Sequence, residues 1–293
     1  MVYLYRQVAA DLAHLRTHGA DPGLVRKINR LVTRAHGQIY RGSARSWPSI
    51  PGFFLLEYPR LFRQTFRYTL ASFLLCAVVY AMAYQTVQDD PLLVADILGH
   101  MEEEFIGHKE ARDITERFAQ GMEQMGGGLM SSAIMTNNIR VALLAFALGI
   151  TLGIGTVWVL TINAAMLGGI AGAFGRSGIE STLWATLLPH GALELTAIVI
   201  AGGSGLMLGW SIWRPGPRTR RRAIQEESVR AVKLVLGLVP AFIIAGIIEG
   251  FVTGSSAIPQ WVKVAIGLFA CGAFMAYLAL GGRGGSPTSD SAA

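Results

Sequence analysis

Hydrophobic positions fall in long unbroken runs, separated by short polar or charged segments. Thr69 to Ala83 is apolar and uncharged and extends toward Val87, and Val141 to Ile162 contains no charge. Thr182 to Trp213 carries only His190 and Glu194 as titratable groups. Ala231 to Val252 has Lys233 at its start and Glu249 near its end, and Trp261 to Leu280 has only Lys263. A helix rises about 1.5 Å per residue, so about 20 apolar residues cross the roughly 30 Å hydrocarbon core of a bilayer. The pattern predicts an all-α polytopic membrane protein, with about six transmembrane helices and further amphipathic ones. The expected crossings are 69–87, 139–161, 163–178, 183–213, 231–252 and 261–281. The short stretch Asn163 to Phe174 is read as either a span or a re-entrant segment.

Outside these runs the period is that of amphipathic helices. Val8, Leu12 and Leu15 form one stripe; Leu24, Ile28, Leu31, Ala35 and Ile39 form another. Asp21-Pro22 between them reads as an N-cap followed by proline at the first helical position. Residues 1–65 are thus expected to be a basic helical hairpin followed by an interfacial segment, where aromatics interleave with Arg60, Arg63 and Arg67. Residues 66–281 form the transmembrane domain, with residues 282–293 a disordered tail. Within the domain, residues 88–136 read as an acidic loop. Two amphipathic helices are expected in it, on Leu98, Met101 and Phe105 and on Ile114, Phe118, Met122 and Met125, ending at Gly126-Gly127-Gly128.

Composition sharpens the class. Of 293 residues, 52% are hydrophobic and 15% charged, against about 25% charged in ordinary soluble domains, which excludes intrinsic disorder. The net charge of +6 is segregated. Residues 1–68 hold eleven Lys/Arg against three acids, residues 88–138 ten acids against three bases, and residues 214–233 seven bases against two acids. Positive segments stay in the cytoplasm. The expected topology therefore puts both termini and the arginine-rich loop inside, and the acidic loop outside, in a bacterial plasma membrane. The basic balance reads as a topology signal, and nucleic acid is not an expected partner. The first 60 residues lack an early apolar region, so no cleaved signal peptide is expected. Cys76 and Cys271 both fall within spans, which excludes a disulfide scaffold and a cysteine zinc site.

Charges at mid-bilayer cost about 2.5–3.5 kcal/mol each on insertion scales, so they normally find a partner or a cavity. The candidates are Asn137, Asn138, Arg140, Asn163, His190, Glu194 and Glu249. On the expected topology all but Asn163 converge in the outer leaflet, with Arg140 paired to Glu194 or Glu249. His190 and Glu194 lie four apart on one helix face, after a kink at Leu188-Pro189-His190-Gly191. The cluster reads either as a bundle-locking contact or as a substrate or proton site. The chain has no second intramembrane histidine for a metalloprotease zinc site, no P-loop and no Gly-x-Ser-x-Gly, so neither metal, cofactor nor enzymatic activity is expected. Gly149/Gly153, Gly168/Gly172, Gly205/Gly209 and Gly246/Gly250 are each four apart, a spacing that permits close helix packing or a homodimer face.

The order of these features resembles the stage II sporulation protein M family of integral membrane proteins. Asn137-Asn138 precede a glycine-containing span, followed by Asn163 with Gly168-Gly169. Leu188-Pro189-His190-Gly191-x-x-Glu194-Leu195 comes next, then Ala201-Gly202-Gly203 with Gly205, and finally Glu249-Gly250-Phe251. The resemblance covers roughly residues 66–281, and residues 1–65 look like the extension found in bacteria that never sporulate. It implies a membrane scaffold that recruits partner proteins, which in sporulating bacteria are peptidoglycan-degrading enzymes. In the extended form it implies work near AAA ATPase and von Willebrand-type proteins. The expected function is a non-enzymatic envelope scaffold in contact with lipid and membrane proteins. The alternative is a transporter or permease subunit using the outer-leaflet cluster.

Overall fold

A computed structural model describes residues 2–18, 21–39, 49–89, 128–178, 180–253, 255 and 257–283. The acidic segment 90–127 and the tail 284–293, with the helices and disorder expected there, lie outside the described residues. Every regular element among the described residues is helical. The chain divides into two compact units, Met1–Phe53 and Phe54–Ala293.

The first unit is the helical hairpin, α1 (Val2–Thr17) and α2 (Pro22–Ile39). The Asp21 carboxylate accepts a hydrogen bond from the Leu24 amide at 3.0 Å, and the Asp21 carbonyl accepts from Val25. This satisfies two of the donors that a helix start leaves unbonded. Leu12 is buried, and Arg16 Nη2 donates to Asn29 Oδ1 at 2.9 Å between the helices.

The second unit begins with a π turn that runs into α3 (Tyr58–Asp89). It continues through α4 (Gly128–Ala147), α5 (Ile154–Arg176), α6 (Glu180–Trp213), α7 (Arg220–Leu236), α8 (Val239–Ile248) and α9 (Gln260–Leu280). Five stretches are long and apolar enough to cross a membrane: 50–89, 154–176, 183–213, 220–253 and 260–280; Met135–Ile150 is a shorter apolar helix. Exposed Leu70, Phe73, Leu74, Val78 and Met82 form a lipid-facing stripe on α3. The chain is a multi-pass membrane protein.

The expected 139–161 crossing is corrected by a break. α4 ends at Ala147, a 3₁₀ turn covers Leu148–Ile150, and Leu152 and Gly153 have φ of 60° and 83° before α5 starts. A left-handed leucine is strained, and no helix passes through two such residues. The Trp213 indole donates to the Leu152 carbonyl at 3.1 Å, which helps hold the turn. Residues 163–175 are consequently the second half of a 23-residue helix. They form neither a separate span nor a re-entrant segment.

Side-chain contacts fix the helix directions. Gly168 and Gly172 press on Tyr80 and Tyr84, so α5 runs parallel to α3. Gly202, Gly205 and Gly209 meet Leu160, Thr156 and Gly153, so α6 runs antiparallel to α5. Asn138 meets Glu194 and Ala145 meets Gly205, so α4 is parallel to α6. Cys271 and Gly267 contact the Ala192 and Pro189 carbonyls, so α9 is parallel to α6 as well; α8 opposes it through the Glu249–His190 contact. The crossing order α3, α4, α5, α6, α8, α9 therefore alternates in direction. The start of α3, the α4–α5 and α6–α7 connections and the end of α9 share one end, here the lower end.

The arginines at the start of α3 do not belong to a separate interfacial helix, as the sequence pattern suggested. Residues 58–89 are one continuous helix. Arg63 Nη1 donates to the Leu278 and Gly281 carbonyls at 3.0 and 2.6 Å, and Arg60 Nε to the Gly282 carbonyl at 2.7 Å. These are the carbonyls that the end of α9 leaves without intrahelical partners. Glu57 pairs with Lys233, and Tyr277 donates its hydroxyl to the Phe54 carbonyl. Arg218 donates to Glu226 at 2.9 Å and Glu227 at 3.2 Å. Arg63→Met is expected to cost about 2 kcal/mol, because it strips a charged donor from several carbonyls while keeping the side-chain bulk. Denaturant midpoints in detergent would measure it, and a change below a few tenths of a kcal/mol would remove Arg63 as a clamp.

Candidate functional site

The polar groups of the upper half come together on α6. Pro189 lies inside that helix and cannot donate to the carbonyl four residues earlier, so the backbone around 185–189 is loosened. α9 uses this gap. Gly267 packs so tightly that a Cβ there would lie 2.3 Å from the Pro189 carbonyl oxygen and 2.5 Å from that of Leu188. One turn along α9, Cys271 Sγ lies 3.6 Å from the Ala192 carbonyl and 3.5 Å from Thr196 Oγ1.

His190 and Glu194 project from the α6 face below this kink, and both are buried. His190 Nδ1 lies 2.5 Å from Glu249 Oε2. The contact is a close approach of imidazole and carboxylate, without hydrogen-bond alignment. Glu249 opens a π turn, Glu249–Thr253, that continues α8. Lys263 Nζ from α9 donates to the Thr253 carbonyl at 2.7 Å and so ties down the end of that turn. Asn138 Nδ2 of α4 donates to Glu194 Oε2 at 2.5 Å. Two elements thus meet α6 through polar side chains, α4 by Asn138 and the turn after α8 by Glu249, while α9 meets it through Gly267 and Cys271. In this cluster, both His190 ring nitrogens, Glu194 Oε1 and both Glu249 carboxylate oxygens are buried and without a hydrogen-bond partner among the described residues.

Beside the cluster on α6, and below Glu249 on α8, the packing is apolar. Leu193, Ala241 and Ala245 are buried against one another with Phe274 alongside.

Of the candidates, the fold brings Asn138, His190, Glu194 and Glu249 together. Asn137 and Arg140 are exposed, and Arg140 makes no ion pair among the described residues, so the expected Arg140 pairing is replaced by Asn138. Asn163 is half-buried and donates to the Val159 carbonyl of its own helix at 2.9 Å. Gly149/Gly153 and Gly205/Gly209 interlock with each other, and Gly168/Gly172 lie against α3. Gly246 faces the Met135 sulfur, and Gly250 faces open space. Sequence reasoning missed Lys263 and Gly267; the lone charge near the start of an apolar run was the signal for the first. No three His, Cys, Asp or Glu side chains among the described residues are grouped to hold a metal ion.

Comparison with known proteins follows the same boundaries. Residues 69–254 match the family model described as Stage II sporulation protein M, and residues 1–41 match one described as a domain of unknown function (DUF8413). An uncharacterized protein of Methanocaldococcus jannaschii, MJ0793, is 28% identical over 123 residues, covering 41% of this chain and 69% of that relative. A second from the same organism, MJ0706, is 27% identical over 124 residues, and the match spans about half of its length, 54%. No solved structure matches.

Proposed function

Because the chain belongs to the stage II sporulation protein M family, we propose that it is a non-enzymatic membrane scaffold that gathers partner proteins at the cell envelope. The observation that carries this reading is that the polar cluster joins helices to one another. Asn138 faces Glu194 and His190 faces Glu249 across helices, beside the apolar packing of Leu193 against Ala241 and Ala245. Such an arrangement locks helices together. The lower end carries Arg60, Arg63, Arg214, Arg218 and Arg220–Arg222, so the positive-inside rule assigns it to the cytoplasm together with both termini. The basic hairpin would then meet cytoplasmic partners, AAA ATPase or von Willebrand-type proteins among them. The acidic segment 88–136 would meet partners outside the plasma membrane.

The second reading, a transporter subunit, is favoured by the buried unpartnered His190 Nε2 and Glu194 Oε1, which are suited to hold a proton. Crosslinked native membranes, pulled down by a tag and read by mass spectrometry, separate the two. Wild type would be compared with Glu194→Gln and with a variant lacking residues 1–48, which keeps Glu57, Arg60 and Arg63. Scaffolding predicts a reproducible partner set that the truncated variant loses at unchanged protein level, with Glu194→Gln lowering assembly and abundance together. A well-expressed wild type with no specific partner, or an abundant Glu194→Gln protein whose partners persist but whose function is gone, would overturn it in favour of transport.

A further inference from the structure

The hairpin leaves one flank of α2 uncovered. Val25, Ile28 and Val32 are half-buried, and Asn29 on the same side holds Arg16 of α1. Leu24 and Leu31, by contrast, are exposed. They alternate with exposed Lys27 and Arg34 along one stripe, since positions i, i+3, i+7 and i+10 of a helix share a face. Arg26 and Arg30 continue the basic flank, and α2 has no acidic residue in its 18.

We propose that α2 docks on a bilayer surface containing anionic lipid, with Leu24 and Leu31 entering the acyl boundary and Lys27, Arg30 and Arg34 meeting lipid phosphates. Two exposed leucines beside four bases match what an interface asks of a helix that lies in its plane. The charge complements an anionic leaflet, because α2 carries no acid and the carboxylate at its start, Asp21, is engaged by the Leu24 amide in the helix cap. The tether favours the same occupant. Ten peptide steps separate Ile39 from Ser49, so the two residues lie at most about 35 Å apart. The helical stretch that begins at Ile50 is long and apolar enough to cross the membrane. The lipid surface is therefore held near α2 at high effective concentration, as no free protein partner is.

The test uses the full chain with Cys76 and Cys271 replaced by alanine and a single Leu31→Cys carrying an environment-sensitive fluorophore. It is reconstituted in nanodiscs of phosphatidylcholine alone, or with roughly 30 mol% phosphatidylglycerol. Expected is a blue-shifted emission and several-fold weaker iodide quenching in the anionic discs, reversed by high salt and by Lys27→Glu/Arg34→Glu. A label at Thr33→Cys, on the opposite face, should stay fully quenchable. Equal quenching in both lipids would overturn the proposal. So would protection that survives the charge reversal, or protection that grows with protein concentration in neutral discs; the latter would identify a second copy of the hairpin as the occupant.

Discussion

Replacing Gly205 by alanine is expected to lower stability by about 3 kcal/mol and to cut the yield of monodisperse protein several-fold. A Cβ at this position would lie 2.2 Å from the Ala145 carbonyl oxygen and 2.5 Å from Thr156 Oγ1. Those two atoms are themselves hydrogen-bonded, Thr156 donating to Ala145 at 2.7 Å, and Ala145 lies in the last turn of α4. The methyl would thus wedge into the bond that closes α4 onto α5. Neither partner can give way, since one is backbone and the other is fully buried. Gly149, four residues on from Ala145, lies against the Gly205 backbone as well, so the contact is close over two successive turns. Gly250→Ala is the matched control, because nothing lies within 4 Å of its Cβ position, and its stability should stay within about 0.5 kcal/mol of wild type. Unfolding in a detergent–denaturant series would read both. Equal behaviour of the two variants would show that the crossing is looser than described.

His190→Leu and Glu249→Leu are each expected to cost about 3–5 kcal/mol, and the double variant distinctly less than the sum of the two. Each single change strands a buried polar group that the other partner had faced at 2.5 Å. The double change leaves two apolar side chains where a pair had been desolvated, and that exchange is often close to neutral. The cycle therefore separates a pair that holds α6 to α8 from two groups that merely share a level. A coupling near zero would mean that His190 and Glu249 are solvated independently, and would weaken the helix-locking argument directly.

Much of the fold was legible because the membrane imposes a coarse code. Runs of the right length locate 183–213 and 261–281 nearly to the residue, since only His190, Glu194 and Lys263 bring charge-bearing groups into them. The break at Leu148–Gly153 was not legible, because its residues are as apolar as their neighbours. What ends α4 there is backbone conformation and the press of α6 against Gly149. The Gly149/Gly153 spacing announced packing and was silent on the turn. His190 and Glu194 were legible as a pair from their spacing, and Glu249 from its depth. The choice of Asn138 over Arg140 depends on helix phase against a partner, and two residues two apart face opposite ways. Arg63 was read as an interfacial arginine because its carbonyl partners lie more than 200 residues later in the chain.

The central position of α6 has a consequence for biogenesis. It packs against α3, α4, α5, α8 and α9, and it is the most buried of the spans. Its polar partner on α4 is made before it and its partner on α8 after it. At about 5–20 residues per second of synthesis, His190 waits roughly 3–12 seconds for Glu249. During that time Gly202, Gly205 and Gly209 can already close on Leu160, Thr156 and Gly153. The glycine contacts thus give the newly inserted helix a docking place before its histidine has a partner. A slowed ribosome between codons 214 and 238 should leave α6 more exposed to membrane quality control in a Gly205→Ala background than in wild type.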